Sequence, residues 1–369
     1  MEAQAFRISI PQPVLDDLHA RLGRTRWPDA IAGSGWNYGV DAAFIRDLVE
    51  YWRDTFDWRR QEAALNRFPQ FRAETGGFRV HFIHVRQGDG GKKPLLLLHG
   101  WPSSFYQMTR IIPLLGGSFD IVVPSLIGYG FSDAARAPGM SVGRMAEIFH
   151  RLMTGTLGYR RYAIRGGDLG AGVASQMAQV HPEAVIGTHT GGTYPWVDFE
   201  HLPSDLTPAE REFIANVKQW RDQEMAYAML HATKPQTLAC ALNDSPAGLA
   251  AWIVEKFRRW SDCGGNVETR FTKDELLTTI TIYWVTETIN SSMRLYYETM
   301  RDPGSWGRPA VPQALLMSGK DLFPTPHEWI ARQGMPERYT EIDRGGHFLE
   351  WEEPALVAGD IIEFFRDRE

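Results

Sequence analysis

Residues 166–170, Gly-Gly-Asp-Leu-Gly, place a carboxylate between the glycines of a tight turn. The pattern is Gly-x-nucleophile-x-Gly, in which a strand passes through a sharp turn into a helix and exposes the central side chain. A β-rich run at 161–165 precedes it, and a helix-compatible run at 171–180 follows it. Glycine fits such a turn because the strained backbone brings the strand and the helix close together. Asp168 is therefore a candidate nucleophile, and the alternative is an ordinary loop whose Asp caps a helix.

Two further polar side chains follow predicted strands later in the chain, Asp321 in Gly-Lys-Asp-Leu-Phe-Pro and His347 in Arg-Gly-Gly-His-Phe. The order nucleophile, acid, histidine matches one known arrangement of a catalytic triad. Each residue also has a simpler explanation, since Asp321 can cap the helix that begins near Pro324 and His347 can be a loop residue. The three together at strand ends predict a triad with Asp168 as its nucleophile.

An aspartate nucleophile restricts the chemistry. A carboxylate needs no base to remove a proton, so it can attack a saturated carbon and form an alkyl ester on itself. His347, oriented by Asp321, would then activate the water that hydrolyses this ester. The backbone N–H groups of Trp101 and Leu169 are the expected donors to the oxyanion. The sequence contains no Gly-x-Ser-x-Gly, which argues against a serine esterase.

The leaving group distinguishes two reactions. A halide leaves unaided among N–H donors, whereas an epoxide oxygen leaves as a basic alkoxide unless an acidic group such as a tyrosine O–H assists it. A long helical region supplies the candidates Tyr227, Tyr283, Tyr296 and Tyr297. Any one of them can instead be a packing residue, and composition does not choose among them.

The order of apolar patterns predicts the elements that position these residues. Short apolar runs such as 95–98 and 119–124 alternate with helical runs, which is typical of a doubly wound, mostly parallel α/β sheet. We predict a helical N-terminal arm over residues 1–75 and the first part of the α/β core over 76–190. A helical lid follows over 191–305, with one helix predicted at 274–300, and residues 306–369 complete the core.

Composition excludes several classes. The chain has 369 residues with a formal net charge of -6 and no Lys/Arg run, which argues against nucleic-acid binding. No apolar run reaches the roughly 20 residues that span a bilayer, and the first residues do not resemble a signal peptide. The two cysteines, Cys240 and Cys263, lack metal-site spacing and are interpreted as free thiols, with one disulfide as the alternative. We expect a soluble, cytoplasmic protein that binds neither a membrane nor a metal ion.

Many short motifs occur in one order along the chain: Arg24-Thr-Arg-Trp-Pro28, Tyr51-Trp52, Phe56-Asp-Trp58, Leu65-Asn-Arg-Phe-Pro69, His81-Phe-Ile-His84, His99-Gly-Trp-Pro102, Gly166-Gly-Asp168, Thr233-Lys-Pro235, Ala241-Leu-Asn-Asp-Ser-Pro-Ala-Gly-Leu249, Glu255-Lys-Phe257, Tyr283-Trp284, Ser291-Ser292, Gly345-Gly-His-Phe348 and Glu352-Glu-Pro354. In these motifs the chain resembles the microsomal-type epoxide hydrolase family, which joins an N-terminal arm to an α/β-hydrolase domain. The acid Asp321 is more typical of the family's bacterial and fungal soluble branch. We expect the chain to lack the membrane anchor of mammalian relatives.

The resemblance implies a role for each site residue. Asp168 is the implied nucleophile, His347 the base and Asp321 its partner. Tyr227, six residues before Thr-Lys-Pro, and Tyr296, four after Ser-Ser, are the implied ring-opening tyrosines, with Tyr297 as the neighbouring alternative. We also expect His99, Pro102 and Tyr297 to line the substrate pocket.

The resulting hypothesis is a cofactor-independent epoxide hydrolase that converts a small apolar epoxide to a vicinal diol. The sequence is compatible with a homodimer. The family commonly has Trp after the nucleophile, where this chain has Leu169. Leucine keeps the backbone donor but removes an indole, so we expect a different pocket shape. The same indole is a halide ligand in similar haloalkane dehalogenases, so Leu169 counts against that alternative. A non-catalytic binding protein of the same fold is the other alternative.

Overall fold

The computed structural model describes residues 2–86, 91–192, 197–304 and 309–369, which include a nine-stranded sheet of order β1-β2-β3-β5-β4-β6-β7-β8-β9. The strands are β1 (Gln4–Phe6), β2 (Gln70–Thr75), β3 (Phe78–Val85), β4 (Lys93–Leu98), β5 (Phe119–Pro124), β6 (Tyr162–Gly167), β7 (Val185–Gly191), β8 (Gln313–Ser318) and β9 (Arg338–Ile342). Strands β4 to β9 pair in parallel, and β1 to β3 form an antiparallel edge. The predicted α/β class with a mostly parallel sheet is confirmed.

Fifteen α-helices surround the sheet in the described ranges. They are α1 (Gln12–Gly23), α2 (Ala42–Asp54), α3 (Trp58–Leu65), α4 (Ile112–Leu115), α5 (Val142–Arg151), α6 (Leu169–Val180), α7 (Pro208–Gln223), α8 (Ala226–Thr233), α9 (Pro235–Leu242), α10 (Pro246–Trp260), α11 (Lys273–Thr286), α12 (Ile289–Arg301), α13 (His327–Gln333), α14 (Leu349–Glu352) and α15 (Pro354–Phe365). No helix in the described part of the chain is long and apolar enough to cross a membrane.

The run of leucines in β4 is apolar throughout because both faces of the sheet are covered. Leu96 and Leu98 belong to one buried cluster with side chains of α5 and α6. Leu95 and Leu97, on the opposite face, belong to a second cluster with side chains of α4 and α15. All four leucines are fully buried. The alternation of side chains along a strand thus joins the two layers of helices through one sheet.

The N-terminal arm, which was predicted to be helical, contains the helices α1 to α3 and also two strands that the sequence analysis did not predict. Strand β2 pairs antiparallel with β3, and the three-residue β1 pairs with β2 at the edge of the sheet. The arm also contacts the helices inserted between β7 and β8. The Arg21 guanidinium binds the Asp244 carboxylate at 2.6 Å, and the Tyr51 hydroxyl donates to Asp274 at 3.0 Å. The arm therefore connects the sheet edge to the inserted helices.

Helices α7 to α12 lie between β7 and β8 in sequence and form a helical insertion at the place of the predicted lid. The prediction of one helix over 274–300 is wrong, because α11 ends at Thr286 and α12 begins at Ile289. Glu287 has a φ of 53°, and its N–H and that of Thr288 bond back to carbonyls of α11, which ends the helix. The break allows α12 to turn back and pack against α8. The predicted boundary at residues 305 and 306 lies outside the described residues.

Candidate active site

The turn at Asp168 has the predicted strand–turn–helix geometry. Strand β6 ends at Gly167, helix α6 begins at Leu169, and Asp168 between them has a φ of 51°. A Cβ atom added at Gly166 would lie 2.4 Å from the carbonyl oxygen of Gly170. One added at Gly170 would lie 2.4 Å from the Leu98 carbonyl oxygen, on neighbouring β4. Only glycine permits this close approach, which holds the Asp168 carboxylate at the carboxyl end of the sheet.

The predicted acid and base lie beside this carboxylate. Asp321, after β8, accepts a hydrogen bond from His347 Nδ1 at 2.9 Å, and His347 Nε2 lies 3.5 Å from Asp168 Oδ2. The backbone N–H of His347 donates to the Trp260 carbonyl at 2.8 Å, which fixes the loop after β9. The side chains of His347 and Asp321 are only 6% and 5% exposed. The structure therefore brings the three residues together in the order carboxylate, imidazole, carboxylate.

The two carboxylates control the charge of the imidazole between them. Burial alone would lower the pKa of His347, but the charges of Asp321 and Asp168 and their hydrogen bonds raise it to about 10. The ring is therefore a cation at neutral pH in the free protein. Because this folded-state pKa lies above the ordinary 6.5, the protonated ring stabilises the fold fully below about pH 6.5. That contribution is lost as the pH rises through about 10.

We expect His347 to keep its proton through the neutral range and to lose it more readily in Asp168→Asn, because this variant lacks one of the two flanking charges. The ¹⁵N chemical shifts of the imidazole, followed against pH, measure both pKa values. Asp133→Asn, a change at a distant surface ion pair with Arg79, is the matched control and should leave the pKa of His347 unaltered. A wild-type pKa near 6.5 would contradict the assigned geometry.

One of the two predicted oxyanion-hole donors binds the nucleophile, and the other follows it in the chain. The Trp101 N–H, in the turn after β4, donates to Asp168 Oδ1 at 2.9 Å. The Leu169 N–H is the first of α6, where backbone N–H groups have no carbonyl partner within the helix and the helix dipole is positive. The two predicted donors thus belong to the turn after β4 and to the first residue of α6.

His99 and Pro102, the two predicted pocket residues of this turn, are both buried. His99 is fully buried, with Nδ1 at 3.1 Å from the Gly100 carbonyl and Nε2 accepting from the Leu126 N–H at 3.2 Å. Burial lowers its pKa to about 4, so the ring is neutral and holds the turn in place. Pro102 is buried directly after Trp101. His99 also lines a small cavity of about 10 Å³ together with Asp168 and His347.

Two of the four candidate tyrosines, both in the helical insertion, pack around the indole of Trp101, whose backbone N–H binds the nucleophile. The Tyr227 ring, on α8, stacks on the Trp101 indole with centroids 5.2 Å apart. The Tyr296 ring, on α12, lies perpendicular to the same indole, with centroids 6.2 Å apart, and 6.1 Å from the Tyr227 ring. Burial, with the charge of Asp168 contributing, raises the pKa of Tyr296 well above 10. Its hydroxyl is buried, and hydrogen bonding with the neighbouring Tyr227 hydroxyl also raises this pKa.

The structure separates these two tyrosines from the remaining pair. The ring of Tyr297 lies against the guanidinium of Arg301, with the guanidinium carbon 3.4 Å from the ring centroid, one turn further along α12. The hydroxyl of Tyr283 donates to the Ser103 carbonyl at 2.8 Å and is fully buried. Tyr297 is therefore not brought to the cluster around Trp101, and the hydroxyl of Tyr283 is occupied by a backbone bond.

Comparison with known proteins extends over the whole architecture. Residues 3–108 match the family model described as epoxide hydrolase N terminus, and residues 93–354 match the alpha/beta hydrolase fold. A Stigmatella aurantiaca protein named as a candidate epoxide hydrolase is 41% identical over 98% of this chain and 84% of its own. Epoxide hydrolase 1 of Sus scrofa is 35% identical over 97% of this chain and 87% of its own. The chain belongs to the epoxide hydrolase family.

Solved structures of epoxide hydrolases agree with this membership. Aspergillus niger epoxide hydrolase has a TM-score of 0.88 and 30% identity, covering 99% of this chain and 96% of that one. Juvenile hormone epoxide hydrolase from Bombyx mori has a TM-score of 0.90 and 29% identity, covering 99% of this chain and 94% of that one. The predicted resemblance to the epoxide hydrolases is therefore confirmed, arm included.

In this epoxide hydrolase family member a buried ion pair links the nucleophile strand to the histidine loop. Arg165, on β6, lies 2.8 Å from the carboxylate of Glu350 on α14, and the two side chains are 1% and 2% exposed. Gln107 donates to the second Glu350 oxygen at 2.7 Å. Burial alone would raise the pKa of Glu350, but the charge of Arg165 holds it below its usual range. Because the pair lies three residues from Asp168 and three from His347, it fixes their relative position.

Sequence reasoning missed this pair and two residues of the insertion, Trp260 and His231. Their rings lie 6.0 and 4.7 Å from the Trp101 indole, between centroids. One signal was available, because His231 follows Tyr227 by four residues and so lies on the same face of a helix. A lone arginine in the otherwise apolar run of β6 was the corresponding signal for Arg165. Nothing local in the sequence indicated Trp260.

Proposed function

We propose that this chain hydrolyses epoxides to vicinal diols through an alkyl ester on Asp168. The observation that carries the proposal is the position of the Asp168 carboxylate, 3.5 Å from His347 Nε2 and 2.9 Å from the backbone nitrogen of Trp101, whose indole packs against the tyrosines on α8 and α12. A carboxylate oxygen of Asp168 attacks an oxirane carbon, and the carbon–oxygen bond of the ring breaks. The departing oxygen takes a proton from Tyr227 or Tyr296, which hold it by hydrogen bonds.

The hydrolytic half-reaction uses the other side of the site. Ester formation neutralises Asp168, which removes one of the two charges that hold the proton on His347. This proton passes through water to the tyrosinate that ring opening leaves, and the neutral ring can then act as a base. It takes a proton from a water, and the resulting hydroxide attacks the ester carbonyl carbon. The Trp101 and Leu169 N–H groups stabilise the oxyanion. The ester bond breaks, the proton of the added hydroxide passes to the departing diol oxygen, Asp168 regains its carboxylate, His347 keeps the proton taken from water, and the diol leaves.

A haloalkane dehalogenase is the second candidate, and one observation favours it. The indole N–H groups of Trp101 and Trp260 are buried and lack partners among the described residues, and a halide ion binds to such donors. The buried phenol of Tyr296 favours the epoxide instead, because a halide needs no proton to leave. Both reactions would use the same carboxylate and the same hydrolytic half-reaction.

A substrate panel separates these functions. Purified protein is incubated with styrene oxide, 1,2-epoxyoctane and 1-chlorobutane, and diol and chloride are measured over time. Diol without chloride supports the epoxide hydrolase, and chloride release from the haloalkane supports the dehalogenase. If neither product forms with any substrate of a wider panel, the non-catalytic binding protein is the better explanation.

Replacing Tyr296 by phenylalanine is expected to slow ester formation by about 10²-fold, because the departing oxygen loses a proton donor. Tyr227→Phe should have a comparable effect, and the double variant a larger one. Pre-steady-state kinetics of ester formation measure the step directly. Tyr297→Phe is the matched control, since its ring lies against Arg301, and it should react at the wild-type rate. Slowing confined to Tyr297→Phe would reassign the second acid.

We also propose a reducing compartment, the cytoplasm, as the location of the protein. Cys240 is exposed and Cys263 buried, and both are free thiols. Exposed free thiols are typical of proteins in reducing compartments. Labelling of Cys240 by a thiol reagent tests this location. The extent of labelling in intact cells is compared with that after lysis under oxidising conditions, and more labelling in the intact cells is expected.

A further inference from the structure

His231 forms part of the wall that holds the two tyrosines. It follows Tyr227 by one turn of α8 and is fully buried. Its ring lies 4.7 Å from the Trp101 indole and 5.0 Å from the Tyr296 ring, between centroids, and nearly perpendicular to both. It lies 5.5 Å from the Tyr227 ring. The imidazole is therefore in contact with every aromatic group that the proposed ring opening uses.

A neighbouring tryptophan fixes the position of the imidazole proton. The Trp252 indole N–H donates to His231 Nε2 at 3.3 Å, so Nε2 carries the lone pair. Burial and the charge of Lys256 lower the pKa of His231 to about 3, so the ring is neutral. The single ring proton must then lie on Nδ1, which is a donor. This Nδ1 has no hydrogen-bond partner among the described residues.

The wall contains more donors than an oxirane can satisfy. The oxirane oxygen has two lone pairs, and two tyrosine hydroxyls, those of Tyr227 and Tyr296, would occupy both. The Nδ1–H of His231 and the indole N–H of Trp101 are then left without an acceptor. Buried donors are satisfied in nearly all folded proteins, so these groups point to acceptor atoms that arrive with a ligand.

We propose that His231 donates a hydrogen bond from Nδ1 to a substrate oxygen outside the oxirane ring. The preferred substrates are then epoxides that carry an ether or carbonyl oxygen close to the ring, a narrower class than apolar epoxides in general. This inference rests on the proposed epoxide hydrolase function. It makes His231 a residue of substrate specificity, separate from the proton transfers at Asp168 and His347.

Two substrates of equal length test the proposal. Butyl glycidyl ether and 1,2-epoxyoctane differ at one chain atom. The second atom of the chain, counted from the oxirane ring, is an oxygen in the ether and a methylene in the alkane epoxide. The readout is the ratio of their kcat/KM values, since a ratio cancels losses of general activity. We expect His231→Phe, which keeps an aromatic ring but has no donor, to lower the wild-type ratio by about tenfold, as one hydrogen bond to an uncharged group predicts. Most of the change should come from KM of the ether.

Two further variants control for folding and for the direction of the hydrogen bond. His231→Gln offers an amide N–H of similar reach, so its kcat/KM ratio should lie between those of wild type and His231→Phe. Circular dichroism checks that each variant is folded. Trp252→Phe no longer fixes the proton on Nδ1 and should give a ratio between those of wild type and His231→Phe. A folded His231→Phe with the wild-type ratio would overturn the inference. Hydrolysis of neither epoxide by the wild type would instead defeat the proposed function itself.

Discussion

Replacing Asp168 by asparagine is expected to reduce diol formation by at least about 10⁴-fold, comparable to the loss of a nucleophile in other enzymes that form covalent intermediates. The amide has the shape of the carboxylate, and its oxygen can still accept from the Trp101 N–H, so the turn should stay folded. It lacks the negative charge that attacks carbon. Chromatographic measurement of diol gives the rate. Asp54→Asn, at a surface ion pair with Arg53, is the matched control and should leave the rate unaltered.

Isotopic labelling tests the same residue without a substitution. In a single turnover in H₂¹⁸O, the oxygen that joins the oxirane carbon comes from Asp168, because water attacks the ester at its carbonyl carbon. The first diol should therefore contain no ¹⁸O, and the label should appear in the Asp168 side chain. Mass spectrometry of the diol and of the peptide that contains Asp168 measures both. Label in the first diol would mean that water attacks the epoxide directly.

His347→Gln is expected to accumulate the alkyl ester. Ester formation needs no base, whereas its hydrolysis does, so steady-state turnover should fall by about 10³-fold while the adduct forms. Intact-protein mass spectrometry should detect one added epoxide mass for each chain. The double variant Asp168→Asn/His347→Gln is the control and should remain unmodified. An unmodified His347→Gln that still consumes one equivalent of epoxide would show that the ester does not form at Asp168.

Much of the core could be predicted because its signals are local. The apolar run at 95–98 indicated a strand covered on both faces, and the glycines around Asp168 indicated a turn in which Cβ atoms would clash with backbone. These two inferences needed only nearest neighbours in the chain. The choice of Tyr227 and Tyr296, which the structure places around one indole, was instead implied by the resemblance to the epoxide hydrolases.

The features that were missed depend on distant partners. Strand β1 has three residues, too few to form a pattern, and it exists because β2 offers a free edge. The break between α11 and α12 depends on Glu287 in a left-handed conformation, which is uncommon for glutamate and is not signalled by a glycine. The roles of Arg165 and His231 depend on Glu350 and Trp252, which lie 185 and 21 residues away in sequence. Such pairs follow only from the folded chain.

The arm that contributes β1 and β2 has a consequence for the motion of the helical insertion. It is bound to the sheet at its strands and to the insertion through Arg21 and Tyr51, so the insertion is restrained on the arm side as well as by its connections to the core. Hinge rotation of the whole insertion, a motion of microseconds to milliseconds, would have to break those contacts. Substrate entry and diol release are then expected to rely on shifts of single helices and side chains. Truncation of the arm should change the rates of entry and release more than the rates of ester formation and hydrolysis.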